Sequence, residues 1–86
     1  MIYHFNIHDG QSYPDTLGTE CLTVDAARIE AVRRIGRLLA EEAARFWTGD
    51  DWTMEVTDST GLTMFSLRFM ATDAPAAGPS ELRLRP

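Results

Sequence analysis

The sequence predicts an α+β two-layer sandwich, an antiparallel four-stranded sheet with one long helix on one face, in the order strand, strand, helix, strand, strand. Three observations carry that expectation. Apolar and polar residues alternate along Ile2–His8, and again along two stretches beyond residue 51, which is the period of a half-covered strand. Between them, from Val24 to about Phe46, apolar residues recur at helical spacing. Finally, a chain of 86 residues buries only ~60–65% of the surface that its unfolded form exposes. The core must therefore be thin, and one helix packed on one sheet is the arrangement that fits.

In the first strand Tyr3, Phe5 and Ile7 alternate with His4, Asn6 and His8, and Asp9-Gly10 ends it with turn chemistry. Gln11-Ser12-Tyr13-Pro14 reads as loop, and Asp15-Thr16-Leu17-Gly18 has the Asp-x-x-Gly spacing of a type I turn. A short second strand is expected at about Thr19 to Leu22. Thr23 or Asp25 caps the helix, with Asp25 adding negative charge where the helix dipole favours it. Ala27, Ala31, Ile35, Leu38 and Phe46 form the helix's core stripe, with Val32 and Leu39 on its edge. Glu30, Arg33, Arg34, Arg37, Glu41 and Arg45 fall opposite, as a solvated face. Gly36 costs ~1 kcal/mol against Ala at mid-helix and, with Ile29, Val32 and Ala43, makes a second flank where a neighbour can approach.

Gly49 stops the helix. Trp52, Met54 and Val56 then alternate with Thr53, Glu55 and Thr57, and Phe65, Leu67 and Phe69 with Met64, Ser66 and Arg68. The turn Asp58-Ser59-Thr60-Gly61 joins these two strands as a hairpin. The expected core is Tyr3, Phe5, Ile7, Ala31, Ile35, Leu38, Val56, Phe65 and Leu67. Residues 1–70 are read as one domain, and 71–86, rich in Ala, Pro, Gly and Ser, as a flexible tail. Glu81-Leu82-Arg83-Leu84-Arg85 is a further, short strand candidate.

Bulk composition narrows the function classes. A net charge of -5 and a pI near 4.8 argue against a nucleic-acid surface, whose affinity comes from basic contacts to phosphate. All 8 basic residues are Arg, read as the drift of a GC-rich genome. No apolar run reaches the ~18 residues of a membrane span, and no signal-peptide core follows Met1. Cys21, the single cysteine, cannot form an internal disulfide, so the expected setting is the cytoplasm.

No catalytic or cofactor constellation emerges. His4 and His8, four apart on a strand, stand ~13 Å from each other, too far to share one metal ion. Asp9, Asp15 and Asp58 each sit in a glycine-containing turn, where Asp is favoured for local backbone hydrogen bonds. Cys21 lacks a partner histidine motif and reads as a buried thiol. Trp47 and Trp52 bracket the helix-to-strand loop and close the end of the core, unless exposure makes one of them a binding anchor. No cofactor or metal ligand set is therefore assigned.

The opening Tyr3-His4-Phe5-Asn6-Ile7-His8-Asp9-Gly10 resembles the Tyr-Phe-Phe-His-x-x-Asp-Gly start of a family of short uncharacterised bacterial proteins. Asp15, Gly18 and Glu20, the helix start Asp25-Ala26-Ala27-Arg28-Ile29-Glu30-Ala31 and the turn Val56-Thr57-Asp58-Ser59-Thr60-Gly61 extend the likeness over about residues 2 to 70. The chain departs from that pattern at His4 and Asn6. The resemblance implies the fold and a bacterial cytoplasmic setting, and no activity. A fainter similarity, in the Asp-Gly turn and acidic helix start, is to small antitoxins that pair strands with one helix.

Two function classes follow. The first is a non-catalytic interaction or regulatory module, homodimeric, using the sheet face that the helix leaves uncovered. His4, Asn6, Met64, Ser66 and Arg68 are its expected interface residues, with Arg68 the preferred contact because Arg is enriched in interfaces. A sheet edge or the helix flank at Ile29 and Gly36 are the other surfaces available to it. The alternative is an antitoxin-like regulator that masks a basic toxin partner with acidic charge.

Overall fold

The computed structural model describes residues 1–49 and 51–78. The chain runs β1 (Ile2–His8), β2 (Ser12–Tyr13), β3 (Thr19–Glu20), α1 (Val24–Glu41), α2 (Ala43–Phe46), β4 (Trp52–Asp58) and β5 (Thr63–Phe69), followed by a 3-10 turn at Pro75–Ala77. The architecture is α+β, an open antiparallel sheet with one long helix. β4 lies between β1 and β5, and the two-residue strands β2 and β3 both pair with the other edge of β1. The candidate strand Glu81–Arg85 lies outside the described residues.

The second strand is shorter than expected, and the segment read as loop holds an additional one. Tyr13 pairs with Ile7 and Thr19 with Tyr3. The outer chain thus advances six positions while β1 advances four, so two extra residues bulge out around Pro14–Gly18. Pro14 has no N–H to give a ladder, which makes this the natural place for the interruption.

Thr23 caps α1: its Oγ1 accepts the Ala26 N–H at 3.0 Å. Ala27, Ala31 and Ile35 are buried by this helix, and Tyr3, Phe5, Trp52, Met54 and Val56 meet them from the sheet, with Cys21 also buried. Small alanines let α1 approach the large sheet residues closely, which is how so short a chain reaches a packed interior. Ile7, Leu38, Phe65 and Leu67, expected in the core, are only partly buried and pack against it. For Phe65 and Leu67 the reason is position, since β5 is the last strand of the sheet. For Ile7 and Leu38 it is a groove of about 360 Å³ between helix and β1, which both residues line.

The expected single helix is broken at Glu42, whose backbone (φ -116, ψ 31) leaves the helical region. The break seats Phe46 edge-on against Trp52, with ring centroids 5.5 Å apart and planes at 86°. Trp52, at the start of β4, is only 2% exposed. It closes the end of the core as expected, with Trp47 reached through Phe46 at 6.1 Å.

Candidate interaction surface

The helix covers the sheet face that carries Tyr3, Phe5, Trp52, Met54 and Val56. Register places His8, Thr53 and Arg68 in one row of the opposite face, and Asn6, Glu55 and Ser66 in the next. Four of the five residues expected at an interface are thus brought to one face. In the third row Thr57 stands between His4 and Thr63, because the register slips by one residue between Val56 and Thr57. Met64 is the residue left over on β5, a bulge that simple alternation does not reveal.

His4 and Asn6 do not stand open. The His4 Nδ1 lies 2.7 Å from the Asp15 carbonyl oxygen. That oxygen only accepts, so Nδ1 carries the hydrogen. The Asn6 side-chain Oδ1 accepts the Asp15 N–H at 2.9 Å, and its Nδ2 donates to the Glu55 carbonyl oxygen at 3.1 Å. Both side chains hold the Pro14–Gly18 bulge over this end of the face. Gly18 fits there because it has no side chain: a Cβ would lie 2.5 Å from Ile2 Cγ2 and 3.0 Å from the His4 ring, and its φ of +74 already favours glycine.

Asp15 finishes the edge of β1 where backbone pairing lapses. Its Oδ2 accepts the Phe5 N–H at 3.1 Å, and its Oδ1 accepts the N–H groups of Leu17 at 3.2 Å and Gly18 at 3.0 Å. Burial pushes this carboxyl up, but the Gly18, Phe5 and Leu17 amides outweigh it and hold it below the ordinary 3.8. The turn role assigned to Asp15 thus extends to a side chain standing in for a strand.

Arg34, expected on the solvated face, is drawn into the same edge. Its guanidinium lies 4.3 Å from the centre of the Phe5 ring, and its Nη2 donates to Thr19 Oγ1 at 2.7 Å. Its Nε donates to Glu30 at 3.0 Å, an i,i+4 pair visible in the spacing of the sequence. At the far end of β1, Arg45 Nη1 donates to Asp9 Oδ2 at 2.6 Å while the guanidinium lies 4.7 Å from the Trp52 ring centre. The Asp9 side chain is only 3% exposed. Burial raises its carboxyl, but the Arg45 hydrogen bond and the Gln11 amide outweigh that and lower it. Nothing in the sequence pairs Asp9 with Arg45, because their meeting depends on the break at Glu42.

The opposite edge contrasts at every point. Phe5 gives its N–H to Asp15, away from β4, so by alternation Val56, Met54 and Trp52 turn their backbone groups toward β5. Their partners Phe65, Leu67 and Phe69 are thereby satisfied, and Ser66 and Arg68 turn N–H and C=O outward. Among the described residues no strand pairs with that edge. Phe65, Leu67 and Phe69 are half-buried above it. Arg28 stacks 5.8 Å from the Phe65 ring centre, which fixes the side of α1 that overlooks β5. Val32, one turn further and 57% exposed, extends the apolar border.

Elsewhere the chemistry-bearing residues serve the fold. The His8 Nδ1 shares a 2.7 Å hydrogen bond with Ser12 Oγ. Asp58 Oδ1 accepts from Thr60 N and Oγ1 and from Leu62 N, and with the Thr60 hydroxyl bond foremost these hold its carboxyl below 3.8. Cys21 is a buried thiol. No group of three or more His, Cys, Asp or Glu placed to hold a metal ion occurs among the described residues, and no described helix is long and apolar enough to cross a membrane.

No curated protein matches this chain, and no solved structure does. Residues 2–71, which take in every described strand and both described α-helices, match the family described as a domain of unknown function, DUF6894, and the chain belongs to that family.

Proposed function

We propose that this chain is a non-catalytic interaction module that works as a symmetric homodimer, with the open edge of β5 as its contact surface. The observation that carries the reading is the asymmetry of the sheet. One edge is finished by two short strands, a carboxylate and two arginines, whereas the other, among the described residues, presents unpaired backbone groups beneath half-exposed Phe65, Leu67 and Phe69. An open edge strand bordered by apolar side chains pairs readily with another chain. In this reading Ser66 and Arg68 contribute from the uncovered face, while His4 and Asn6 support it indirectly by holding the Pro14–Gly18 bulge. The carboxylates that an acidic toxin-masking surface would use are in large part engaged within the chain, as at Asp9, Asp15, Glu30 and Glu42, so the antitoxin-like alternative draws less support. We place the protein in a bacterial cytoplasm, a setting that suits the free thiol of Cys21 and the all-arginine basic composition.

Light scattering over a dilution series tests the reading. A mass of twice 9.6 kDa at high micromolar concentration, falling toward 9.6 kDa on dilution, is the expected result. A mass of 9.6 kDa at every concentration would overturn it.

A further inference from the structure

We infer that the two copies join strand β5 to strand β5 in a single register, antiparallel and centred on Leu67, with Arg68 of each copy paired to Glu55 of the other. This rests on the homodimer reading and goes on to name the contact.

The backbone limits the choice. Only Ser66 and Arg68, within the regular stretch Phe65–Phe69, turn their hydrogen-bonding groups outward, and Met64 lies in the bulge. A two-fold axis relating two antiparallel strands must therefore pass by Ser66, Leu67 or Arg68. Centring on Arg68 sets two guanidinium groups directly opposite each other, which is unfavourable. Centring on Ser66 sets Arg68 against the bulge at Met64, where the ladder is distorted. Centring on Leu67 uses the regular stretch symmetrically. Ser66 of each copy then exchanges backbone hydrogen bonds with Arg68 of the other, and Leu67 meets Leu67. On the helix-covered face Phe65 lies opposite Phe69 of the second copy, an aromatic pair made twice.

Charge supports the same register. Arg68 makes no hydrogen bond or ion pair with the described residues, although it stands on an acidic protein. In this register its side chain lies beside Ser66 of the second copy, and the next residue in that row is Glu55. Two strand spacings put the two Cα atoms about 10 Å apart, within reach of an arginine and a glutamate extended toward each other. Glu55 is exposed, and its Oε1 is held at the surface by a 2.9 Å hydrogen bond from Thr63 Oγ1. The two-fold axis makes this pair twice, so the surface is complementary to itself.

The test combines charge reversal with cross-linking on the full chain, each variant being checked for native circular dichroism. Arg68→Glu and Glu55→Arg should each weaken the dimer about tenfold or more, because each sets like charges together. The double variant, Arg68→Glu with Glu55→Arg, should recover most of the loss. Under mild oxidation Leu67→Cys should yield a disulfide-linked dimer, since opposed residues in such a pair stand about 4.5 Å apart at Cα. Ser66→Cys and the parent chain, whose own Cys21 is buried, should not cross-link. A dimer that cross-links through Ser66→Cys and not Leu67→Cys would overturn the register and leave the homodimer standing. A dimer that ignores both charge reversals and forms neither cross-link would move the contact off β5. A monomer at all concentrations would remove the homodimer and the register together. If that monomer protected the Ser66 and Arg68 amides from exchange, the edge would belong to another segment of the same chain.

Discussion

The two edges of this sheet solve the same problem in opposite ways. At the outer edge of β1 the chain has two residues too many for its ladder, and side chains make up the deficit. Asp15 accepts the Phe5 amide, Asn6 and His4 hold the bulge, Arg34 lies over Phe5, and Arg45 reaches the nearly buried Asp9. At β5 the backbone is regular from Phe65 to Phe69, and among the described residues no strand pairs with its outer edge. An irregular strand pairing that recruits polar side chains is poorly suited to joining another chain, whereas a regular one with apolar borders invites it. The difference teaches that closure and association have been divided between the two sides of one small sheet.

The sharpest way to break the closed side is at its seat. Trp52→Ala removes the ring on which both Phe46 and Arg45 rest, and a loss of about 3–5 kcal/mol is expected from truncating so fully buried an aromatic. Chemical denaturation checks it, and the two-state slope should be unchanged if only stability is lost. Gly18→Ala comes next. The new methyl would meet Ile2 Cγ2 at 2.5 Å in a left-handed backbone conformation. The clash and the strain together should cost about 2–3 kcal/mol.

Arg45 and Arg68 make a matched pair for the comparison itself. Arg45→Met leaves the Asp9 carboxylate, 3% exposed, without its cation, at a cost of about 1–2 kcal/mol. Arg68→Met, measured at concentrations dilute enough to keep the chain monomeric, should stay within about 0.5 kcal/mol of the parent, since Arg68 is exposed and the change removes no hydrogen bond or ion pair with the described residues. Equal losses at the two positions would show that the edges are not distinct in the way described.

The strands β1, β4 and β5, the helix stripe and the Thr23 cap are legible in the sequence, because each rests on a local period or a local hydrogen bond. The parts that escape such reading all depend on residues distant in the chain. The short β2 within the segment read as loop, and its offset from the shortened β3, reflect a count of residues across a ladder, and no single segment reveals them. The placement of Arg34 against Phe5 overrides a helical wheel that assigns it to solvent, since a guanidinium can cover an aromatic ring while its head keeps polar partners at Thr19 and Glu30. The bulge at Met64 moves Thr63 into the row expected for Met64, although Ser66 and Arg68 keep theirs. The candidate surface is thus legible on β5 at Ser66 and Arg68, where alternation holds, and less so at Met64, displaced by the bulge, and on β1, where His4 and Asn6 are tied to the Pro14–Gly18 bulge.

Acid gives the smallest effect and the finest distinction between the edges. The Asp15 and Asp9 carboxyls are lowered in the folded chain from the ordinary 3.8, Asp15 by three backbone amides and Asp9 by Arg45 and Gln11, both against the upward pull of burial. A carboxyl lowered on folding binds fewer protons in the native state than in the unfolded one. Its stabilisation is therefore fully present above the unfolded value and is lost as the pH falls below 3.8 through the folded value. Asp15 anchors Phe5 of β1, so the amides of Phe5, Leu17 and Gly18 should lose protection in that window before those of Met54 and Val56 in the centre of the sheet. Hydrogen exchange followed by NMR, corrected for the intrinsic acid dependence, reads this directly. Asp15→Asn keeps an acceptor oxygen but no titrating charge, so it should lower protection at Phe5 at neutral pH and flatten the acid dependence there. Parallel acid profiles for the parent and Asp15→Asn would show that this carboxylate does not hold the edge, and that the bulge is kept in place by His4 and Asn6 alone.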